Sequence, residues 1–141
     1  MRVATPADFK DVEKMALNFL EATPYKDISS KEVVSNLVLD IINSFPTERI
    51  IIFKKDVGFV AGAVTPFLLG EHKLATEIAW WVEPDQRGNG IGLDFLSAFE
   101  YWAINVAQAG LISMSSLDKT VEKYYKKNGY KLYERAYMKV L

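Results

Sequence analysis

The chain has no cysteine and a single histidine, His72. The first absence excludes a disulfide framework, a thiolate nucleophile and a zinc–thiolate site. The second leaves too few imidazoles for a metal cluster. Neither sign of charge is in excess: 17 Lys and Arg stand against 18 Asp and Glu, a formal net charge of -1. Nucleic-acid binding asks for a strong basic surplus or a basic face, and that footprint is missing. No apolar run approaches the ~20 residues of a membrane-spanning helix. The first residues, Met1 to Phe9, are polar and mixed, unlike a signal peptide. The expectation is a cytoplasmic protein without a membrane partner. Linkers, low-complexity tracts and internal repeats are also absent.

What the chain does have is apolar content. Half of its 141 residues are hydrophobic, enough to build the core of one domain over 1–141. Thr5-Pro6 opens a segment in which Phe9, Val12, Met15, Ala16 and Phe19 recur at helical spacing up to Leu20. Ser30 starts a second helix with Val33, Val34, Leu37, Ile41 and Ile42 on one face and Pro46 beyond its end. Arg49–Lys54, Val57–Leu69 (bent or ended at Pro66) and Ala75–Val82 are strand-like, with a hairpin turn at Lys55-Asp56. Their short connections predict an antiparallel meander. A glycine-rich loop follows, then a helix from about Gly90 to Ala109, stopped by Gly110. A strand is predicted at Leu111–Leu117, a short helix at Thr120–Asn128 capped by Gly129, and strand-like sequence from Tyr130 to Leu141 with a turn near Glu134-Arg135. The fold class is therefore mixed α/β.

The loop Trp81-Val82-Glu83-Pro84-Asp85-Gln86-Arg87-Gly88-Asn89-Gly90-Ile91-Gly92 carries the chemistry. Glycines let backbone amides turn toward a ligand with no Cβ in the way. The helix start adds free N–H groups and the positive end of a dipole. Together they make a phosphate cradle, with Arg87 as a charge at its rim. It is not a P-loop, which ends in Gly-Lys-Ser/Thr. It is not the dinucleotide fingerprint either, because Leu93 stands at the third glycine and the loop follows a meander.

Arg87-Gly88-Asn89-Gly90-Ile91-Gly92 resembles the R-x-x-G-x-G/A signature of the GNAT N-acetyltransferase superfamily, and the order of segments around it is similar over nearly the whole chain. Small stand-alone members from bacteria and phages look closest. Tyr125-Lys126-Lys127-Asn128-Gly129-Tyr130 resembles the family's Y-x-x-x-G-F/Y element. The resemblance implies a mixed, mostly antiparallel central sheet with helices on both faces, and acetyl-CoA as cosubstrate. It implies that residues 87–92 hold the pyrophosphate and that Tyr125 protonates the leaving thiolate. It further implies a β-bulge in the strand before the loop, which leaves backbone groups of Ala79, Trp80, Trp81 and Val82 for the pantetheine arm, with an amide near Val82 as oxyanion donor. Asp118 is a further candidate cofactor contact, although members commonly have asparagine there; Val121 likewise replaces a common alanine.

The reaction needs an amine stripped of its extra proton, hence a base. Glu77 is the candidate. Strict alternation places it on a face with Ala79 and Trp81 unless a bulge intervenes. His72, in a polar turn, is a lesser candidate. The implied function is transfer of acetyl from acetyl-CoA to a primary amine by direct attack in a ternary complex. The alternative is a non-catalytic acyl-CoA-binding or protein-interaction module. In the family the acceptor site lies between the first two helices, their loop and the sheet. Glu21 and Asp27 in that loop would suit a cationic amine, with Phe67, Trp81, Tyr133 and Tyr137 as aromatic walls. The resemblance leaves two kinds of acceptor, a small-molecule amine or a protein or peptide amine, and homodimers are common among members.

Overall fold

Proline punctuates the helical part of the chain. Pro6, Pro24 and Pro84 each open a short 3-10 turn, at Pro6–Asp8, Pro24–Asp27 and Pro84–Gln86. Proline suits that position because its fixed φ is preorganised and its missing N–H would be unpaired there. A computed structural model describes residues 1–117 and 119–141; Asp118 lies outside the described residues. The elements are β1 (Arg2–Val3), α1 (Phe9–Glu21), α2 (Lys31–Ile42), β2 (Arg49–Lys54), β3 (Gly58–Pro66), β4 (Lys73–Val82), α3 (Ile91–Asn105), β5 (Leu111–Ser113) and α4 (Lys119–Lys127).

Thr5 does not cap α1 directly. Its N–H and Oγ1 donate to Asp8 Oδ2 at 2.8 and 2.9 Å, and the Arg2 guanidinium donates to both oxygens of Asp8 at 2.7 and 2.8 Å. The Arg2 hydrogen bonds hold the Asp8 carboxyl well below the usual carboxylate range. Ser30 caps α2 as expected, its Oγ accepting from Val33 N–H at 3.3 Å. Asp56 takes a left-handed φ of 57° in the turn between β2 and β3.

The five strands lie in chain order, β1-β2-β3-β4-β5. All neighbours are antiparallel except β4 and β5, which are parallel because α3 carries the chain back between them. The sheet is covered on both faces, so β2 is apolar on both sides from Ile50 to Phe53, between charged ends at Arg49 and Lys54. Ile51 and Phe53 join Val12, Met15, Val38, Ile41 and Phe59 under α1 and α2. Ile50 and Ile52 join Val60, Phe95, Phe99 and Trp102 under α3. Each such side chain contributes about 1.5–3 kcal/mol on burial. A Cβ at Gly62 would lie 2.3 Å from the Phe99 ring, so glycine there lets α3 seat fully on β3.

Two expectations are corrected at the C-terminal end. The strand predicted over Leu111–Leu117 is only three residues long, because pairing with β4 stops at Ser113. Tyr130–Leu141 forms no strand. Its apolar residues alternate, but a strand also needs an edge to pair with, and this segment meets none: Tyr133 and Tyr137 are 92% and 93% exposed. Upstream, α3 likewise ends at Asn105 rather than Ala109, and the chain then turns through Gln108 at φ 55°.

Candidate active site

The site is organised by one extra residue in β4. Ala61 pairs with Ala79 and Gly62 with Glu77, so Ile78 is bulged out of the ladder. A bulge resets which face each side chain occupies. Ala79 and Trp81 pack toward α1 and α2, whereas Trp80 and Val82 pack toward α3. Glu77 is opposite Gly62, whose Cβ direction points at Phe99 of α3, so Glu77 lies on the α3 face. The bulge thus separates Glu77 from Ala79 and Trp81. Pairing with β5 ends at Thr76↔Ser113, and β4 and β5 part at Glu77.

Glu77 and Tyr125 meet at this fork. Ser115, two residues past the end of β5, donates its N–H to Glu77 Oε2 at 3.1 Å and accepts at its carbonyl from the Tyr125 hydroxyl at 2.7 Å. The two candidate groups hold opposite ends of the same residue. Burial pushes the Glu77 carboxyl up to about 7, against the smaller opposing effect of the Ser115 hydrogen bond. Burial, and then the nearby Glu77 charge, push the Tyr125 phenol above its usual range, so it stays protonated at neutral pH. The Tyr125 ring packs on Trp80 at 6.1 Å and on Tyr130 at 5.5 Å. Tyr130 is itself anchored by its hydroxyl to Glu100 of α3 at 2.9 Å.

Beyond the fork no strand pairs with the outer edge of β4 among the described residues. Glu83 N–H bonds Val57 O, which fixes the alternation: Trp81 directs its backbone groups toward β3, and Trp80 and Val82 direct theirs away. Trp81 therefore departs from the expectation for the pantetheine edge, since its ring is core and its backbone faces the neighbouring strand. Arg87 also does more than line the rim. Its Nε donates to Val82 O at 2.9 Å and its guanidinium lies over the Trp81 ring at 4.7 Å, tying the loop to the strand end.

In the loop, Gly88 and Gly90 have φ of 94° and 76°, conformations that disfavour any side chain. Gly90 is the N-cap of α3. The first helical bond there is Asp94 N–H to Gly90 O, so the N–H groups of Ile91, Gly92 and Leu93 precede the ladder, beside exposed Asn89. A Cβ at Gly92 would touch the Trp80 ring at 3.4 Å, so the loop, Trp80, Tyr125 and Glu77 form one continuous surface. Trp80 Nε1 and Trp81 Nε1 are both buried with no acceptor among the described residues. A cradle of amides and an unpaired strand edge fit a ligand with phosphates at one end and an amide arm.

His72 is exposed, packs beside Gly110 and lies just before the far end of β4. Ser115 and Tyr130 were not among the expected residues. Ser115 acts through its backbone, which leaves no side-chain signature; Tyr130 was legible only as a motif position. No cluster of metal-ligating side chains occurs among the described residues.

Residues 15–130 match the acetyltransferase (GNAT) family. No curated protein sequence matches the chain. Among solved structures, an aminoglycoside N-acetyltransferase held with the bisubstrate analogue CoA-S-monomethyl-acetylneamine superposes with a TM-score of 0.77 at 12% identity, covering 99% of this chain and 95% of that one. An acetyltransferase from Trypanosoma brucei gives 0.72 at 18% identity, covering 99% and 97%. A transcriptional regulator from Bacillus halodurans gives 0.76 at 19%, covering 99% and 97%. At these identities the likeness is one of fold.

Proposed function

The chain belongs to the acetyltransferase (GNAT) family, and from that premise we propose that it transfers an acetyl group from acetyl-CoA to a primary amine by direct attack in a ternary complex. The observation that carries this reading is the convergence of Glu77 and Tyr125 on Ser115, at the fork where β4 and β5 part. Acetyl-CoA supplies a thioester, an electrophilic carbonyl with a thiolate leaving group. Amides of residues 88–92 would hold its phosphates, and the open edge at Trp80 and Val82 its amide arm.

Glu77 takes a proton from the incoming ammonium. A carboxyl with a pKa of about 7 accepts that proton readily near neutrality. The Val82 N–H faces the open edge and donates to the developing oxyanion. As the N–C bond forms and the C–S bond breaks, the Tyr125 hydroxyl proton passes from its hydrogen bond with Ser115 O to the departing sulfur, and the second proton shed by the acylated nitrogen restores the phenol. With no cysteine, the chain offers no thiol to carry the acetyl group, which removes an acyl-thiol intermediate and agrees with direct attack.

Acetyl-CoA-dependent release of free thiol, followed across a panel of amines, tests this reading. The cysteine-free chain adds no background. Release that needs an amine and falls in Glu77→Gln and Tyr125→Phe supports it. Acetyl-CoA binding without release from any amine would leave the non-catalytic module.

A further inference from the structure

We propose that the acceptor is an apolar primary amine, an aromatic ring or branched alkyl group bearing its amine at one end, whose apolar part fills a cavity between α1, α2 and the sheet. This rests on the acetyl-transfer reading and adds the class of acceptor.

The cavity measures about 370 Å³. It opens to solvent on one side, so its apolar lining stays wet until an occupant covers it. Val12, Ala16, Ile41, Phe59 and Ala79 line it, and no charged residue does among the described residues. The polar groups at hand are those of Tyr25 and Ser29, and the Ser29 hydroxyl is already committed to Tyr25 O at 2.6 Å. A second ammonium placed there would be buried without a partner. The acidic residues expected to attract a cation stand elsewhere: Glu21 faces Lys31 at 3.8 Å, and Asp27 is exposed and off the lining.

The mouth is apolar too. Tyr25, Ile28 and Leu37 remain 38–46% exposed around it, a rim that a partner of like chemistry would cover. On the sheet side the lining ends at Ile78 and Ala79, the two residues after Glu77. Glu77 itself faces α3, so an amine whose apolar end lies in the cavity would present its nitrogen to the acid past Ile78, through the gap where β4 and β5 have parted. An apolar cavity of about 150 Å³ stays dry and takes up benzene. This larger one has room for a fused ring or for a ring with a short chain.

The test measures acetyl-CoA-dependent thiol release with methylamine, butylamine, hexylamine, phenethylamine and tryptamine, against spermidine and kanamycin. Melting temperatures are recorded with each amine. A parallel series uses methylamine with hexanoyl-CoA. We expect kcat/KM to rise about fourfold per added methylene until the cavity is full. Spermidine and kanamycin should trail phenethylamine by roughly 100-fold or more. Ala16→Leu, which narrows the cavity, should collapse the phenethylamine-to-methylamine ratio by about tenfold. Leu37→Asn on the half-exposed rim should lower the same ratio and serves if Ala16→Leu does not fold.

Turnover that is flat across the series, or that favours the polycations, overturns this inference and leaves acetyl transfer standing. A gain with acyl length in place of amine length assigns the cavity to the acyl chain and overturns it equally. If no amine releases thiol but apolar amines raise the melting temperature and Ala16→Leu abolishes that rise, acetyl transfer falls and the apolar-amine site stands. Neither release nor a thermal shift overturns both.

Discussion

The two faces of the sheet are finished differently. On the α3 side the ground around the fork is filled: Phe99 presses against Gly62, Tyr125 against Trp80, and the carboxyl and phenol are tied to Ser115, while a gap of about 450 Å³ lies away from it, between β1, β2 and α3. On the α1–α2 side about 370 Å³ of apolar space is left open beneath the helices. The groups proposed for proton transfer are held rigidly, as proton transfer requires. The surface proposed for recognition is unfilled, as a binding site requires.

Glu77→Gln should give the largest effect: a loss of about 10²–10⁴-fold in kcat/KM, with KM for acetyl-CoA little changed. In the parent enzyme the rate should climb as pH rises through about 7, because only ionised Glu77 accepts a proton; the variant should lose that step. The same residue sets a trend in stability. Its carboxyl titrates near 4.5 when unfolded and near 7 when folded, so between those values the folded state holds more protons. Stability should therefore fall as pH rises across that window, and the slope should flatten in Glu77→Gln, as read from denaturant midpoints.

Next in size, adding carbon to each face should break the symmetry between them. Gly62→Ala puts a methyl into the Phe99 ring and should cost about 1–3 kcal/mol in urea unfolding. Ala16→Leu adds more carbon but has space to fill, and should cost less. The smallest of these effects is Gly90→Ala. No neighbour is within 4 Å of a Cβ there, so the cost is the left-handed backbone alone, about 1–2 kcal/mol. A raised KM for acetyl-CoA should accompany the lowered melting temperature.

Much of this was legible in the sequence. Helical spacing marked α1 and α2, and glycines at 88, 90 and 92 marked a loop that needs positive φ or close approach. A bulge in β4 was expected from the family resemblance, but its position at Ile78 left no trace, since isoleucine looks the same in register or out of it, and alternation without the bulge puts Glu77 on a face with Ala79 and Trp81. Ser115 was invisible because its peptide groups, not its hydroxyl, make the contacts. The cavity escaped for a related reason: Val12, Ala16 and Phe59 read correctly as core, but composition does not record the volume left between them. Tyr133 and Tyr137 misled in the other direction, since a strand-like pattern says nothing of whether an edge is there to receive it.

Ile78 makes the site a matter of counting. Upstream of it, β4 keeps one phase and downstream another, and the half-step between them lets one strand present an acid to one helix layer and Ala79 and Trp81 to the other. Losing that residue would restore a single phase and turn either Glu77 or the Trp80–Val82 edge to the opposite side. Position 78 should thus accept many apolar residues and tolerate no gap.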